Sequence, residues 1–223
     1  MIDFDGLSAS LPQALAGALR RLAQLAQASA WDQWATQRLT PTQRRILEFL
    51  GSRHENVTLS AVARELCVTP ATASDSVTAL ETKGFVRKRR SHVDGRALAL
   101  MLTTEGRRSV TELAALPDPL ERAFGSLSGR EQELLYRVAL KMLHELQESG
   151  ALPVSRMCVR CRYFDPFRYP QSPTPHHCGL VGAPFADRHL RIDCPEHESC
   201  DEPARAALWA RYAQQVLPPA SSG

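Results

Sequence analysis

The sequence predicts a mainly α-helical protein with one inserted β-hairpin and a small, irregular, cysteine-rich extension at its C-terminal end. Three observations lead to this fold class. Apolar residues recur at helical spacing through the first 150 residues, behind clear helix-starting motifs. One short segment alternates with the two-residue period of a strand. Five of the six cysteines and eight of the fifteen prolines lie within residues 151–203, where helical periodicity disappears.

Composition narrows the class of protein. The chain has 223 residues, 43% of them hydrophobic, and a net charge of +3. No apolar run reaches the length of about 18 residues that a membrane span needs, and the N-terminus carries acids where a secretory signal would carry lysines. We therefore expect a cytoplasmic protein with no membrane partner. No nucleophile–base pair or phosphate-binding glycine loop stands out, so the sequence does not predict an enzyme.

Residues 10–39 are predicted to form one long helix. Its leucines recur at steps of three or four and lie on one face: Leu11, Leu15, Leu19, Leu22 and Leu25. Such a stripe either faces the core of its own chain or is shared with a second copy of the chain. We give the core-facing interpretation preference.

Residues 40–150 are predicted to alternate helices with one hairpin. Thr40 and Gln43 form one capping box and Ser128 and Glu131 another. A helix after Ser128 has one apolar face and ends near Gly150; that face carries Leu135, Val138, Met142 and Leu146. A strand is predicted where Leu98, Leu100 and Leu102 alternate with other residues, directly after a tight turn at Asp94-Gly95.

A helix-turn-helix is predicted in the segment that begins LSAVARELCVTP. A short helix, 60–66, leads to a turn at Cys67, which is interpreted as a small buried residue, and Thr69 caps a second helix. That helix places small polar residues on its outer side, as a helix that enters a major groove requires. These residues are Thr72, Ser74, Asp75 and Thr78.

Basic residues concentrate beside this helix. Between Glu81 and Arg108 the chain has eight basic and three acidic residues, hence +5, although the whole protein carries only +3. A basic stripe that flanks a helix-turn-helix and a hairpin is typical of a surface that contacts phosphates.

Residues 40–110 closely resemble the winged helix-turn-helix of the multiple-antibiotic-resistance regulator (MarR) family, and residues 10–150 do so loosely. The resemblance depends on Leu80-Glu81, Lys83-Gly84, the basic run 87–90, the DGR of the wing and the LTTEG after it. It implies a homodimer that reads a pseudo-palindromic double-stranded operator, with Arg96 in the minor groove and Asp94 supporting the wing. Three features depart from the family pattern: Asp75 stands where an arginine is common, Ser76 replaces a usual apolar residue on the inner face, and prolines 117 and 119 interrupt a normally long helix.

The resulting organisation has five parts. A dimerisation helix, 1–39, precedes the winged DNA-binding domain, 40–110, and further dimerisation helices, 111–150. A cysteine-rich segment, 151–202, and a last helix with a tail, 203–223, complete the chain. The residues predicted to contact DNA are Thr69, Thr72, Ser74, Asp75, Arg87, Lys88, Arg89, Arg90 and Arg96.

The late cysteines are spaced C-x2-C-x16-C-x15-C-x5-C. A C-x2-C pair lets two thiolates reach one metal centre, and clustered cysteines in a reducing compartment favour metal binding over disulfides. We predict Cys158, Cys161, Cys178 and Cys194 as ligands, with Cys200 as an alternative fourth ligand. Since the segment is rich in proline and poor in apolar periodicity, we expect it to have little core of its own. The neighbouring histidines, His176, His177 and His197, are interpreted as surface residues.

The type of centre is less constrained. Zinc sites usually repeat short knuckles, whereas only the first pair is a knuckle here, and isolated cysteines with long spacers are more typical of iron–sulfur clusters. The order of cysteines and the aromatic pair Tyr163-Phe164 are also similar to high-potential iron–sulfur proteins. A [4Fe–4S] cluster is preferred, a [2Fe–2S] cluster is an alternative, and so is zinc. Tyr163, Phe164 and Phe167 would shield such a cluster or form a small core.

The sequence therefore predicts a MarR-type transcriptional regulator, most simply a repressor, whose iron–sulfur centre reports redox or iron status. Two alternatives stay open. One is a MarR-type regulator with structural zinc and a small aromatic or lipophilic effector. The other is a redox or electron-transfer protein that keeps a vestigial helix-turn-helix.

Overall fold

The computed structural model describes residues 9–34, 39–53, 57–90, 98–115 and 118–215. Contacts divide the chain into two compact units. The winged unit comprises Met1–Gly51 and Glu55–Ser126, and the thiol unit comprises Ser52–His54 and Leu127–Gly223.

The winged unit contains six helices and three strands within the described residues. Its helices are α1 (Leu11–Trp34), α2 (Pro41–Gly51), α3 (Leu59–Glu65), α4 (Pro70–Thr82), α5 (Thr104–Ala114) and α6 (Pro119–Gly125). The strands are β1 (Val57–Thr58), β2 (Val86–Arg90) and β3 (Leu98–Leu102), which form an antiparallel sheet in the order β1-β3-β2. The fold is the predicted winged helix-turn-helix. The one addition is β1, which is too short to leave a periodic pattern.

Capping residues start these helices as the sequence predicts. The hydroxyl of Thr40 accepts a hydrogen bond from the backbone N–H of Gln43, whose side chain in turn accepts from the N–H of Thr40. Thr69 caps α4 by accepting from the N–H of Thr72 at 3.1 Å. The interruption predicted from the prolines is also present, since α5 ends at Ala114 and α6 starts at Pro119.

A compact apolar core joins α2, α3, α4 and the sheet. Ile46, Val62, Val77 and Leu80 are fully buried in it. Because these residues come from three different helices, their burial fixes α3 and α4 relative to α2 and leaves the polar side of α4 facing outward.

Two glycines occupy positions where a side chain would be unfavourable. Gly84 has φ +78°, a conformation that side chains disfavour. Gly106, near the start of α5, lies against the backbone, where a Cβ atom would come within 2.1 Å of the carbonyl oxygen of Phe85. This contact gives a physical reason for the glycine of the LTTEG motif.

The leucine stripe of α1 does not face the core of its own chain. Its five leucines, Leu11 to Leu25, are 40–71% exposed. The preferred interpretation from the sequence was therefore wrong, because helical periodicity identifies an apolar face but not what covers it. Among the described helices, α1 included, none has the length and apolar character needed to cross a membrane.

The thiol unit is built from two long helices and a small sheet. Its helices are α7 (Gly129–Glu148) and α8 (Glu202–Ala213). Strands β4 (Phe164–Asp165), β5 (His176–Cys178) and β6 (Ala183–Phe185) form an antiparallel sheet, and 3₁₀ turns span Cys158–Arg160 and Asp187–His189. The sheet was not predicted, since strands of two or three residues carry no visible period. The capping box of Ser128 and Glu131 starts α7 as predicted.

This unit has more core than the sequence suggested. Met157, Val159 and Phe164 of the cysteine-rich segment are buried together with Leu140 of α7 and Tyr212 of α8. The segment was expected to have little core of its own, and the helices on either side supply the apolar surface that it lacks. The segment forms one core with them.

Candidate DNA interface and thiol cluster

The helix α4 presents a polar surface of small side chains. Thr72, Asp75 and Thr78 are exposed on it, and Ser74 is half-buried. The opposite side carries the buried Ala73, Val77 and Leu80. Small side chains on the outer face allow close approach to a groove, while the buried face holds the helix in place.

The strand β2 places basic side chains next to the end of α4. Arg87, Lys88 and Arg89 are exposed. Lys88 donates to Glu81 at 2.8 Å, and this hydrogen bond lowers the pKa of the Glu81 carboxyl. One lysine of the basic run is thus partly neutralised, and Arg87 and Arg89 carry more of the exposed positive charge.

Part of the predicted interface lies outside the described residues. The wing tip, with Asp94 and Arg96, falls in residues 91–97, and the side chain of Arg90 is not described. Their predicted roles stay predictions.

The cysteine of the helix-turn-helix is not buried. Cys67 is exposed and has φ +53°. The interpretation as a small buried residue was wrong, because the left-handed turn between α3 and α4 directs this side chain away from the core. Leu66 and Val68, its two neighbours in the chain, contact the core instead.

The four predicted ligands line one cavity of the thiol unit, which we call the thiol cavity. It measures about 40 Å³, and Cys158, Cys161, Cys178 and Cys194 all border it. Tyr163, Phe164, Leu180 and Phe185 supply most of the remaining wall. Cys200 is not part of that wall, although it packs in the same core. A cleft of about 230 Å³ adjoins the cavity and is bordered by three of the thiols, Cys161 being the exception.

Short backbone hydrogen bonds position the segments that carry these thiols. The N–H of Cys161 donates to the carbonyl of Cys158 at 2.9 Å, which closes the C-x2-C turn. The N–H of Cys194 donates to the carbonyl of Arg156 at 2.9 Å. Cys178 ends β5, where it pairs with Phe164 of β4. Residues far apart in sequence are thus brought to one cavity by the fold of the unit.

The environment of Cys158 disfavours thiolate charge on that residue. Burial raises the pKa of Cys158 to about 11, a backbone N–H of Arg191 opposes the rise, and the other three thiols add to it. Ionisation of the Cys158 thiol in the folded chain would therefore need a compensating positive charge. In the described part of the chain, no group of three or more His, Cys, Asp or Glu side chains is arranged to hold a single ion.

His176 is a core residue and not the surface residue that the sequence suggested. It is completely buried, and its Nε2 lies 3.1 Å from Oδ1 of Asp187. Asp187 also accepts from Arg137 of α7. Burial raises the pKa of the Asp187 carboxyl, but the hydrogen bonds from His176 and Arg137 outweigh it and hold that pKa below the ordinary value. His176 was misassigned because its buried partner is eleven positions away.

The aromatic residues after the C-x2-C pair lie in two different surroundings. Tyr163 and Phe164 line the thiol cavity. Phe167 packs instead on His176 and on Tyr212 of α8, with ring centroids 4.8 and 6.0 Å apart. Phe164 thus belongs to both the cavity wall and the buried core, whereas Phe167 packs in the core beside it.

Sequence reasoning missed two side chains of α7 that hold the segment before Cys194. Tyr136 donates its hydroxyl to the carbonyl of Leu190 at 2.7 Å, and Arg137 binds Asp187. The periodic signal in that turn of the helix came from their apolar neighbours Leu135 and Val138. Arg191, which contacts two of the thiols, was also missed.

Part of the winged unit is similar in sequence to a known protein family. Residues 39–98 match the family model described as MarR family. Transcriptional regulator HosA of Escherichia coli O111:H- is 32% identical over 77 residues, which are 34% of this chain and 57% of HosA. The chain thus spans little more than half the length of the curated relatives that it matches.

Solved structures give the same fold for a larger part of the chain. A MepR–DNA complex from S. aureus has a TM-score of 0.53 at 25% identity and covers 60% of this chain and 98% of that one. FabT of Streptococcus pneumoniae in complex with DNA has a TM-score of 0.52 at 22% identity, with coverage of 61% and 97%. About two fifths of this chain therefore has no counterpart in either structure.

Proposed function

We propose that this chain, whose winged helix is of the MarR type, is a transcriptional repressor that binds a pseudo-palindromic operator as a homodimer. The observation that carries the proposal is α4, which exposes Thr72, Asp75 and Thr78 beside the basic strand β2. The S. aureus MepR structure, similar in fold to this chain, is a complex with DNA, which supports DNA binding by this chain. The charge of +5 between Glu81 and Arg108 would bind phosphates.

Two apolar surfaces support a dimer. The leucines of α1 are exposed within the winged unit. Within the thiol unit, the predicted stripe of α7 is also uncovered, since Leu135, Met142 and Leu146 are 41–45% exposed. Large exposed apolar stripes on monomers mark interaction surfaces. A second copy of the chain is the partner we propose for both.

The thiol unit is proposed to bind an iron–sulfur cluster through Cys158, Cys161, Cys178 and Cys194. The residues fit such a group, because four thiols from three separate segments border one largely apolar cavity. When bound, the cluster would supply reversible one-electron chemistry and sensitivity to iron supply. The chain's own part is to hold the thiols and to exclude water, for which Tyr163, Phe164 and Phe185 are placed.

Structural zinc is the main competing centre. Isolated cysteines after a single C-x2-C pair, distributed around the walls of a cavity, favour a cluster over the repeated knuckles of zinc sites. The adjoining cleft, which borders three of the thiols, would give small reactants a route to the centre. These features are what the sensing role would require of the chain.

The helix α7 is proposed to carry the signal. One side of it binds the segment between Asp187 and Leu190, through Arg137 and the hydroxyl of Tyr136. Cys194 follows that segment directly, and Leu135 and Met142 of the proposed dimer surface lie on the same helix. A change at the centre would therefore reach the dimer surface through one rigid helix. Half-sites on DNA tolerate little change in the spacing of two recognition helices.

DNA binding is tested by footprinting and by two variants. We expect a protected pseudo-palindrome with half-sites roughly 10 base pairs apart. Arg96→Ala should cost about 1–3 kcal/mol on that operator, and Arg87→Ala should weaken binding to all sequences and lower the salt slope by about 1. Wild-type affinity of Arg96→Ala would exclude the minor-groove role.

The centre is tested on anaerobically purified protein. Visible absorption with iron and acid-labile sulfide in matching amounts, both lost in Cys161→Ser, is the expected result. Cys200→Ser is the matched control and should keep the centre. Stoichiometric zinc in place of iron would reject the iron–sulfur proposal while leaving the DNA-binding proposal intact.

A further inference from the structure

One arginine contacts two of the four thiols. The backbone N–H of Arg191 donates to Sγ of Cys158 at 3.3 Å, and the carbonyl of Arg191 accepts from the N–H of Cys158 at 2.9 Å. The guanidinium Nη1 donates to Sγ of Cys194 at 3.8 Å. The reciprocal backbone bonds hold Arg191 against Cys158, the first thiol of the predicted ligand set, while its side chain contacts Cys194, the last.

Arg191 also differs from the neighbouring arginines in what its side chain pairs with. Other arginines close to the thiols in sequence pair with carboxylates: Arg156 with Asp193, Arg160 with Glu148 and Arg162 with Glu198. No carboxylate among the described residues pairs with Arg191, whose side chain is directed to sulfur. Its guanidinium therefore lies beside Cys194 at the adjoining cleft.

We infer that Arg191 sets the reduction potential of the centre held by these thiols, as the residue that stabilises its reduced form. The inference rests on the iron–sulfur proposal above. Reduction adds one electron to the centre from an external one-electron donor, and no bond of the chain forms or breaks. The added negative charge would spread onto the sulfur atoms, where the backbone N–H and the guanidinium of Arg191 would lower its energy.

The exposure of the Arg191 side chain determines how large a shift in the redox equilibrium we expect. The side chain of Arg191 is exposed, so water and salt screen part of its charge. The contact with Cys194 is also at the long end for a hydrogen bond to sulfur. We therefore expect loss of the guanidinium to shift the ratio of oxidised to reduced centre by about tenfold, or 59 mV for one electron.

The test is a redox titration of the full-length protein, followed by visible absorption under anaerobic conditions with dithionite as the reductant. Arg191→Gln should lower the midpoint potential by about 59 mV, the tenfold shift in the redox equilibrium. Arg191→Lys keeps the charge and should stay within about threefold of wild type in that equilibrium. Arg188→Gln removes an exposed arginine three positions away and should leave the potential unchanged.

Each result of the titration either supports or overturns the role of Arg191. Equal potentials for wild type and Arg191→Gln would overturn the inference and leave the iron–sulfur proposal standing. An equal drop in Arg188→Gln would show a general charge effect and would overturn it too. If Arg191→Gln does not retain the centre, Arg191→Lys decides, since a tenfold drop there contradicts a role for charge. Zinc, or no centre at all, in the wild type would overturn both proposals.

Discussion

Replacement of Asp187 by asparagine tests the network that ties the cysteine-rich segment to α7. The carboxylate is 3% exposed and accepts from two cationic or potentially cationic side chains, Arg137 and His176. Asparagine has almost the same volume but no charge. The substitution therefore leaves the packing in place and removes the compensation for the guanidinium of Arg137.

The structure limits the loss of stability that we expect in Asp187→Asn. Removing one partner of a buried ion pair costs about 3–5 kcal/mol, because the other charge stays buried and unpaired. The side chain of Arg137 is 22% exposed, so water replaces part of the lost interaction. We therefore expect the lower end, about 3 kcal/mol, which corresponds to roughly a 150-fold change in the opening equilibrium.

Native-state hydrogen exchange, resolved by peptide, measures the change in the opening equilibrium within the thiol unit alone. Slowly exchanging amides of α7 and β5 should lose about 150-fold in protection in Asp187→Asn. Asp165→Asn is the matched control, since Asp165 pairs with the exposed Arg211 and should contribute no more than about 1 kcal/mol. Equal protection in both variants would refute the reasoning that burial makes the Asp187 network strong.

The pKa of Asp187 adds a pH dependence with a definite sign. The folded-state pKa lies below the ordinary value of 3.8. The stabilisation is therefore complete above the unfolded-state pKa and is lost as the pH falls through the folded-state pKa. In Asp187→Asn this acid-dependent loss should be absent.

Three further predictions follow from the packing. Gly106→Ala places a Cβ atom 2.1 Å from a backbone oxygen and should destabilise the winged unit by about 3 kcal/mol in urea unfolding. Burial lowers the pKa of His144 below 6.5, so the stability of the thiol unit should fall as the pH drops through 6.5, and His144→Phe should flatten that slope. Leu15→Asp with Leu22→Asp should give monomers at micromolar concentration in sedimentation experiments, because each half-exposed leucine is worth about 1 kcal/mol on burial.

Control variants and contradicting results can be stated for each of these three predictions. Gly17→Ala, in open space on α1, should be neutral or stabilising, and a similar loss there would argue against a steric cause at Gly106. An unchanged pH slope in His144→Phe would remove that histidine from the acid response. Gln24→Asp lies off the leucine stripe and should stay dimeric. A dimer in the double leucine variant would place the interface elsewhere.

Local signals made much of the winged unit predictable. Capping residues such as Thr40 and Thr69 act within one turn of helix, so the sequence alone located the starts of α2 and α4. The two-residue period of Leu98–Leu102 located β3 for the same reason. Cys67 shows the limit, since one residue with positive φ reverses the direction of a side chain without changing any pattern around it.

The thiol unit was harder because its order depends on distant pairs. Spacing was enough to select the four cysteines that the structure brings to one cavity. It did not show that His176 pairs with Asp187, or that Tyr136 binds the carbonyl of Leu190, 54 positions away. Such contacts leave no period or motif in a single sequence. The exposed leucines of α1 were misjudged for a related reason, since the pattern of a helix identifies an apolar face but not what covers it.

Operator affinity of the protein with and without its centre tests most directly whether the thiol unit is a sensor. We expect the intact centre to favour DNA binding, with apo protein and Cys161→Ser weaker by about 5- to 150-fold, equal to a coupling of about 1–3 kcal/mol. The measurement is fluorescence anisotropy on the footprinted operator, at matched salt and under anaerobic conditions. Equal affinity for holo protein, apo protein and Cys161→Ser would contradict the coupling and leave the centre with a structural role only.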